Sequence, residues 1–203
     1  MNLPPRMPLP DAVGSHVPIL IGLAGLLKPR TVCEFGIGLH STPLFLSDVF
    51  NLDRLLSFEN NAEWSQALLN AHGNDPRFHL VTVNGAIASA AAEVHEVFDL
   101  TFIDDSMSAA ERAETIATVA HRRSVVAVIH DFEEAAYRHA ALYFEHAFTF
   151  DIWNPMTGVC WNGGVSLRKD LREVRDRVRV HANIPVTDVA AWRSALNMAA
   201  LPW

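Results

Sequence analysis

Short apolar runs alternate with helical patterns along most of this chain, and this alternation constrains the fold more than any other feature. Five runs have the length and composition of buried strands, at 31–35, 54–58, 78–83, 98–103 and 125–129. Between them, apolar residues recur at helical spacing over 41–49, 62–71, 87–94 and 109–119. Units of this kind form a parallel sheet between two layers of helices. The sequence therefore predicts a doubly wound α/β fold with five parallel strands.

Both ends of the chain depart from this alternation. Residues 1–10 carry four prolines, and a helical pattern with Ser15 or His16 near its cap follows over 17–27. After the fifth strand, the runs 147–153 and 158–167 predict an antiparallel hairpin. A mixed-charge helix over 167–180 and a helix capped by Thr187 complete the chain. We predict an extended arm over 1–15, one domain over 16–168 and a helical extension over 169–203.

Composition limits the partners of this domain. The chain has 203 residues, of which 50% are hydrophobic and 19% charged, so it suffices for one globular core. Its net charge of −7 opposes binding to nucleic acid or to anionic lipid, since both need a cationic face. The longest apolar run, 17–27, is too short to span a bilayer and lacks the basic start of a signal peptide. We therefore expect a cytoplasmic protein, with Cys33 and Cys160 as core residues.

The run from Thr31 to Thr42 carries the clearest chemical signal. An apolar strand enters a Gly-x-Gly turn at Gly36 and Gly38, and a helix starts directly after it. Such a turn lets the backbone approach a bulky ligand at the carboxyl end of the first strand, beside free N–H groups of the helix. This pattern indicates a nucleotide-like ligand. The alternative is a tight strand-to-helix turn in which Glu34 is merely a solvated acid.

A second acid, Glu59, ends the second strand 21 residues after Gly38. A carboxylate there can accept hydrogen bonds from both hydroxyls of a ribose. The alternative is an acid that caps the next helix, with Asn60 or Asn61 in the same role. The spacing suits a nicotinamide dinucleotide and S-adenosylmethionine alike. The dinucleotide fingerprint, however, has glycine at the position of Ser41, and neither tyrosine of the chain starts a YxxxK pair.

Acidic residues also follow the fourth and fifth strands. Asp104 and Asp105 end the fourth strand, and His130 and Asp131 end the fifth. Because the carboxyl ends of parallel strands meet at one edge of the sheet, we expect all four side chains beside the glycine turn.

Over residues 16–168 the chain resembles the class I S-adenosylmethionine-dependent methyltransferases. The segment from Glu34 to Gly38 is similar to the family's first motif and Phe58-Glu59 to its second, while Asn84-Gly-Ala86 and 98–104 are similar to its third and fourth. His40-Ser-Thr and Ile129-His-Asp131 are closest to small-molecule and sugar O-methyltransferases. The resemblance implies a Rossmann-like seven-stranded sheet of order 3-2-1-4-5-7-6, with strand seven antiparallel. This order agrees with the hairpin expected from the residues.

The resemblance also implies roles for individual residues. Gly36 and Gly38 would pass the methionine part of the cofactor, Glu59 would hold the ribose, and Asp104 would stand between cofactor and acceptor. Glu34 and Ser41 would anchor the amino acid end or its waters. The positions implied to bind S-adenosylmethionine are therefore Glu34, Gly36, Gly38, Ser41, Glu59, Asn60, Gly85, Ala86 and Asp104.

Methyl transfer to a hydroxyl needs a group that removes the proton. His130 and Asp131 are equal candidates, although neighbouring strand residues point to opposite faces unless the strand has ended. The alternative is a divalent ion on oxygens of Asp104 or Asp105 and of Asp131. The lysine that follows this acid in catechol-type enzymes is missing, which opposes catechol chemistry.

The sequence thus predicts a methyltransferase that acts on a hydroxyl of a small molecule or sugar. One rival is a protein that binds the cofactor without turnover, and another is an aminopropyl transferase on the same fold. Trp153 and Trp161 either line the acceptor pocket or pack on the core. The helix around Trp192 either covers the sheet or pairs with a second subunit in a homodimer.

Overall fold

The computed structural model describes residues 12–121, 126–164 and 166–196. Seven strands form one sheet: β1 Thr31–Phe35, β2 Arg54–Glu59, β3 Phe78–Thr82, β4 Leu100–Ile103, β5 Val126–His130, β6 His146–Phe150 and β7 Thr157–Trp161. The helices are α1 Val17–Leu27, α2 Ser41–Leu46, α3 Ala62–His72, α4 Ile87–Glu93, α5 Ala109–His121, α6 Ala135–Ala140, α7 Arg168–Val180 and α8 Val189–Leu196. No helix in these ranges combines the length and apolarity needed to cross a membrane.

The strand order is β3-β2-β1-β4-β5-β7-β6, which confirms the predicted sheet. Strands β1 to β5 are parallel, while β7 runs antiparallel to both β5 and β6. The order reverses at β1, which lies between β2 and β4, so a crevice opens at the carboxyl ends of these strands. Glu34 of β1 lies opposite Ser57 of β2 and Phe102 of β4 in this register.

Each face of the sheet has its own apolar core. On one face, residues such as Val32 and Phe102 pack with α1, α2, α7 and α8. On the other face, residues such as Cys33 and Ile103 pack with α4, α5 and α6. Adjacent residues of β1 and β4 fall in different cores because successive side chains of a strand point to opposite faces. Burial raises the thiol pKa of Cys33, and Cys33 and Cys160 are both free.

Most differences from the sequence prediction lie at the ends of elements. The oxygen that caps α8 belongs to Asp188, whose Oδ1 accepts from the N–H of Ala191, and not to Thr187. This correction has a simple cause, because the helix begins one residue later than expected. Helix α6 was not predicted, since its six residues are too few to show a helical period.

Three of the tryptophans pack into the core. Trp153 and Trp161 are fully buried with the residues of the first core, and neither is among the residues that line the cavity described below. Trp192 is also buried and meets Trp153 edge to face, with ring centroids 6.1 Å apart. Helix α8 therefore packs this side chain into its own chain, where the helix contacts α1 and α7.

The segment before α1 does not form an extended arm throughout. Residues Ala12–Gly14 form one 3-10 turn, and Ser15 and His16 after it are almost fully buried. The rest of the predicted arm, 1–11, lies outside the described residues. Ser15 is drawn inward because its hydroxyl finds a partner on β5, as described below.

Candidate active site

A cavity of about 940 Å³ opens where β1, β2, β4 and β5 end. Each of these strands, or the residues that follow it, supplies polar groups to the wall: Gly38 and Ser41, Glu59 and Asn60, Asp104 and Asp105, His130 and Asp131. The start of the chain's first helix closes one side through His16. The structure thus brings together most of the residues that the sequence predicted for one site. This is also the place where doubly wound folds bind their ligands.

The two glycines of the turn have different surroundings. Gly36 has φ +84°, and a Cβ there would overlap the carbonyl oxygen of Asp104. Gly36 therefore lacks a side chain so that the backbone following β4 can approach it, and its predicted contact with the cofactor stays a prediction. Gly38 does line the cavity, and a Cβ there would stand 2.9 Å from Oγ of Ser41.

Glu59 lies in the wall as predicted and also orders the turn. Its Oε2 accepts from the N–H of Ile37 at 3.1 Å, and its Oε1 accepts from those of Asn60 and Asn61 at 2.9 and 2.7 Å. Two carboxylate oxygens offer about four acceptor sites. Three are used inside the chain, so one stays available to a ligand hydroxyl. Asn61 itself caps α3 through the N–H groups of Glu63 and Trp64.

Glu34 lies beneath the cavity and does not reach it. Its carboxylate accepts from the hydroxyls of Ser57 at 2.7 Å and of Thr42 at 3.0 Å and is fully buried. Burial raises the pKa of Glu34 to about 7, against the opposing effect of hydrogen bonds from Ser41, Ser57 and Thr42. Glu34 is not among the residues that line the cavity, but it contacts the start of α2 beside Ser41, which does line it. Its part in holding the amino acid end of a cofactor stays a prediction.

Gly85 and Ala86 are not among the residues that line the cavity, and Gly85 is exposed. The side-chain amide of Asn60 donates to the carbonyl of Gly85 at 3.0 Å and stands in the wall itself. Gly85 has φ +120°, a conformation that favours glycine. Gly85 is thus linked to the site through Asn60.

Arg112 is the functional residue that the sequence did not reveal. It projects from α5 with only 3% of its side chain exposed. Its Nη1 lies 2.9 Å from Asp104 Oδ1 and 2.9 Å from Asp131 Oδ2, and its Nε lies 3.7 Å from Asp105 Oδ1. The one signal available was its place among the buried positions Thr115, Ile116 and Val119 of α5. Arg112 thus joins the acids from two strand ends into one network.

The contacts of Arg112 decide whether a divalent ion fits between the three carboxylates. A guanidinium already pairs with Asp104, Asp105 and Asp131, and a cation among them would face its positive charge. Thr115 in addition donates to Asp105 at 2.6 Å. Burial raises the pKa of Asp105, although Thr115 and Arg112 oppose that shift. The all-oxygen site considered from the sequence does not fit this arrangement.

His130 and Asp131 both face the cavity, which resolves the geometric objection to the pair. Strand β5 ends at His130, and Asp131 has φ +55°, so the two side chains no longer alternate. Nδ1 of His130 lies 3.3 Å from Asp104 Oδ2, and its Nε2 lies 2.9 Å from Ser15 Oγ. Burial lowers the pKa of His130, but the hydrogen bond and charge of Asp104 outweigh burial and raise it.

Two residues of the N-terminal segment, Ser15 and His16, lie beside His130. Ser15 is fully buried, so the Ser15–His130–Asp104 chain of contacts offers no exposed nucleophile. The ring of His16 meets that of His130 edge to face, with centroids 4.8 Å apart. Burial, followed by the nearby His130, lowers the pKa of His16 to about 3. Neither ring nitrogen of His16 has a hydrogen-bond partner among the described residues.

Comparison with solved structures relates this fold to that of known proteins. No protein-family profile and no curated protein sequence matches the chain. A spermidine synthase from Thermotoga maritima is similar over 93% of this chain and 74% of its own, with TM-score 0.56 and 17% identity. The methyltransferase domain of bacterial CtHen1-C is similar over 75% of this chain and 100% of its own, with TM-score 0.55 and 10% identity.

A Staphylococcus aureus protein assigned as a caffeoyl-CoA O-methyltransferase is similar over 72% of this chain and 82% of its own, with TM-score 0.55 and 12% identity. At such identities the likeness concerns the fold. The chain has the Rossmann-like fold of the class I S-adenosylmethionine-dependent methyltransferases, which the spermidine synthase shares.

Proposed function

We propose that this chain is an S-adenosylmethionine-dependent methyltransferase that acts on a hydroxyl of a small molecule or sugar. The observation that carries the proposal is one cavity whose wall combines the glycine turn, Glu59 and the His130–Asp131 pair. Its volume of about 940 Å³ accommodates a nucleoside cofactor together with a small acceptor. The fold supports the same proposal, because it is the fold of the class I methyltransferases.

The cofactor would lie between the ends of β1 and β2. The remaining acceptor site on Glu59 is available to a ribose hydroxyl, and Gly38 and Ser41 border the space beside it. The wall also holds four other acidic residues against one buried guanidinium, that of Arg112. An acidic lining favours a ligand that carries a positive sulfonium. These features support S-adenosylmethionine over an anionic dinucleotide.

A bound S-adenosylmethionine supplies the methyl group, which passes from sulfur to the acceptor oxygen in an in-line displacement. The chain must orient the acceptor and take its proton. His130 is suited to this because Asp104 holds Nδ1, which leaves Nε2 to accept a proton. At present Nε2 contacts the Ser15 hydroxyl, so an acceptor hydroxyl would take the place of that contact. Asp131 lies beside it and stabilises the imidazolium that forms.

The rim of the cavity supports a neutral acceptor with an apolar face. Val13, Leu39, Trp64 and Met107 line it, and each is at least two-fifths exposed. Apolar and aromatic side chains pack against the carbon face of a sugar or a small ring. The acidic interior opposes a phosphorylated acceptor. We therefore expect an uncharged hydroxyl compound.

Two rivals remain, and one observation keeps the aminopropyl transferase among them. The spermidine synthase is similar over nearly the whole chain. In addition, the side chain of Glu34 is fully buried, although the sequence placed it near the cofactor's amino acid end. An aminopropyl transferase would prefer decarboxylated S-adenosylmethionine. Isothermal titration of both cofactors separates the two enzymes. A preference for the decarboxylated form would overturn methyl transfer.

The decisive experiment begins with mass spectrometry of the purified protein for S-adenosylhomocysteine. We expect the compound to co-purify or to bind in calorimetry. The variant His130→Ala with Asp131→Ala should keep this binding and lose methylation of model hydroxyl acceptors. A protein that binds the cofactor without turnover would show no methylation in either form. Absence of binding to the wild-type chain would remove the cofactor assignment altogether.

A further inference from the structure

His16 is a buried imidazole that the proposed reaction does not use. Its exposed fraction is 2%, and both ring nitrogens lack a hydrogen-bond partner among the described residues. A buried polar group without a partner destabilises the folded state. Buried polar groups in this situation usually meet a water or an ion. His16 lines the cavity together with Asp104 and His130, so a bound species can reach it.

The three side chains are spaced as a ligand set. One ligand atom of each residue lies within 4.8 Å of the ligand atoms of the other two. Nδ1 of His130 and Oδ2 of Asp104 are 3.3 Å apart, which is long for a charged hydrogen bond. Two atoms about 2.1 Å from one tetrahedral ion are separated by nearly this distance. His16 supplies the third ligand atom within the 4.8 Å limit.

The atoms on the far side of two of these ligands are already held. Nε2 of His130 lies 2.9 Å from Ser15 Oγ, and Oδ1 of Asp104 lies 2.9 Å from Nη1 of Arg112. Imidazoles and carboxylates that bind metals usually make such contacts through their second polar atom. Ser15 and Arg112 thus fix the two ligands, while their other atoms, Nδ1 and Oδ2, lie 3.3 Å apart.

We propose that His16, Asp104 and His130 bind one first-row transition ion such as Zn²⁺ in the wall of the cavity. Two imidazoles and one carboxylate suit zinc or ferrous iron and not Mg²⁺ or Ca²⁺, which prefer oxygen ligands. The site shares Asp104 with the three-acid cluster but uses its Oδ2, whereas Arg112 pairs with Oδ1. All three ligands line the cavity, so water or an acceptor oxygen would reach an ion held there.

The proposed ion site depends only on its three ligands. It does not require that the chain transfers methyl groups. If both proposals hold, Nδ1 of His130 would bind the ion. The ion would then lower the pKa of the acceptor hydroxyl, and His130 would no longer be needed as the base. Methyl transfer without the ion would leave His130 as the base. The two proposals are therefore measured separately.

The test uses the full chain after treatment with chelator. Calorimetric titration with Zn²⁺ should show one ion per chain, and Co²⁺ should give the visible absorption of a tetrahedral or five-coordinate site. His16→Ala should lower the Zn²⁺ affinity at least about a hundredfold, more than the loss of a supporting contact around a metal ligand costs. His139→Ala, an exposed histidine of α6, should leave the affinity unchanged. Thermal unfolding of the metal-free variants checks that both are folded.

Equal Zn²⁺ affinity in the wild type and His16→Ala would overturn the site. So would a crystal structure grown with Zn²⁺ in which a water alone bridges His16 to its neighbours. If His16→Ala does not fold, His16→Asn serves in its place, with the same expected loss. Calorimetry with S-adenosylhomocysteine on the metal-free chain tests the methyltransferase proposal independently: binding there without Zn²⁺ binding would remove only the ion site.

Discussion

Nη1 of Arg112 lies 2.9 Å from Oδ1 of Asp104, and this contact ties helix α5 to the end of β4. The same guanidinium also reaches Asp131 after β5, and it packs over the ring of Tyr137 with its centre 5.1 Å from the ring centroid. Two strand ends and two helices thus depend on one buried charge. The acids of the cavity can stay close together because Arg112 compensates them.

Replacement of Arg112 by glutamine should therefore be costly. Loss of one partner of a buried ionic network leaves carboxylates uncompensated and costs about 3–5 kcal/mol of unfolding free energy. The matched control is Arg30→Gln, since Arg30 pairs with Asp53 at the surface, where such pairs contribute less than about 1 kcal/mol. Urea unfolding at neutral pH measures both. Equal losses in the two variants would contradict the structural role of Arg112.

Gly36→Ala should destabilise the fold, not only the cofactor site. The new Cβ would overlap the backbone of Asp104, and the residue would sit at φ +84°. Left-handed strain alone costs roughly 1–2 kcal/mol, and the overlap adds to it. For comparison, Gly164→Ala meets no atom of the described chain within 4 Å. Urea unfolding should show a loss above about 2 kcal/mol for the first variant and little for the second.

Glu34 should give the protein a pH-dependent stability. Burial raises its pKa in the folded state from 4.5 to about 7. An acid of this kind stabilises the folded state fully below its unfolded pKa, and the contribution is lost as the pH rises through the folded value. Between these two pH values the loss is on the order of 3 kcal/mol.

Glu34→Gln removes this titration, so its unfolding free energy should vary less between pH 4.5 and 7 than that of the wild type. Glu114→Gln, an exposed residue of α5, keeps Glu34 and should keep the wild-type slope. Urea unfolding across the pH range measures all three proteins. Parallel curves for Glu34→Gln and the wild type would show that Glu34 stays ionised when buried.

Glu59→Gln should weaken S-adenosylhomocysteine binding about tenfold to a hundredfold. An amide nitrogen cannot accept a hydrogen bond, so the N–H of Ile37 or those of Asn60 and Asn61 would lose an acceptor, and the ligand hydroxyl would compete for what remains. Hydrogen bonds to charged groups contribute about 1.5–3 kcal/mol. Calorimetry measures the affinity, with Glu63→Gln on the exposed start of α3 as the control. Unchanged affinity would mean that the ribose lies elsewhere.

The sheet could be predicted because its strands have local boundaries. The prediction of β1 is confirmed to the residue, since its apolar run is limited by Pro29 on one side and Gly36 on the other. The order of the last two strands followed from the resemblance and from the hairpin pattern. Local signals also sufficed for Glu59, His130 and Asp131, because each directly ends a strand or follows one.

The parts of the site that the sequence did not reveal depend on contacts between distant segments. Ser15 and His130 are 115 residues apart, and no local pattern links them. Arg112 resembles any charged residue of an amphipathic helix until α5 is placed against β4 and β5. Gly36 depends on such a contact as well: a Gly-x-Gly turn shows that close approach is needed, but only the fold shows that the backbone of Asp104 is one of the groups that approach.

Helix α1 links the two ends of the chain to the site. It enters the cavity wall through His16, while Gly22 in its middle lies so close to Val174 of α7 that an added methyl group would overlap that side chain. Among the described residues, none beyond Pro155 borders the cavity. Removal of the C-terminal helices would nevertheless weaken the packing of α1 and disturb the contact between Ser15 and His130. A deletion far from the cavity would therefore have the effect of a mutation inside it.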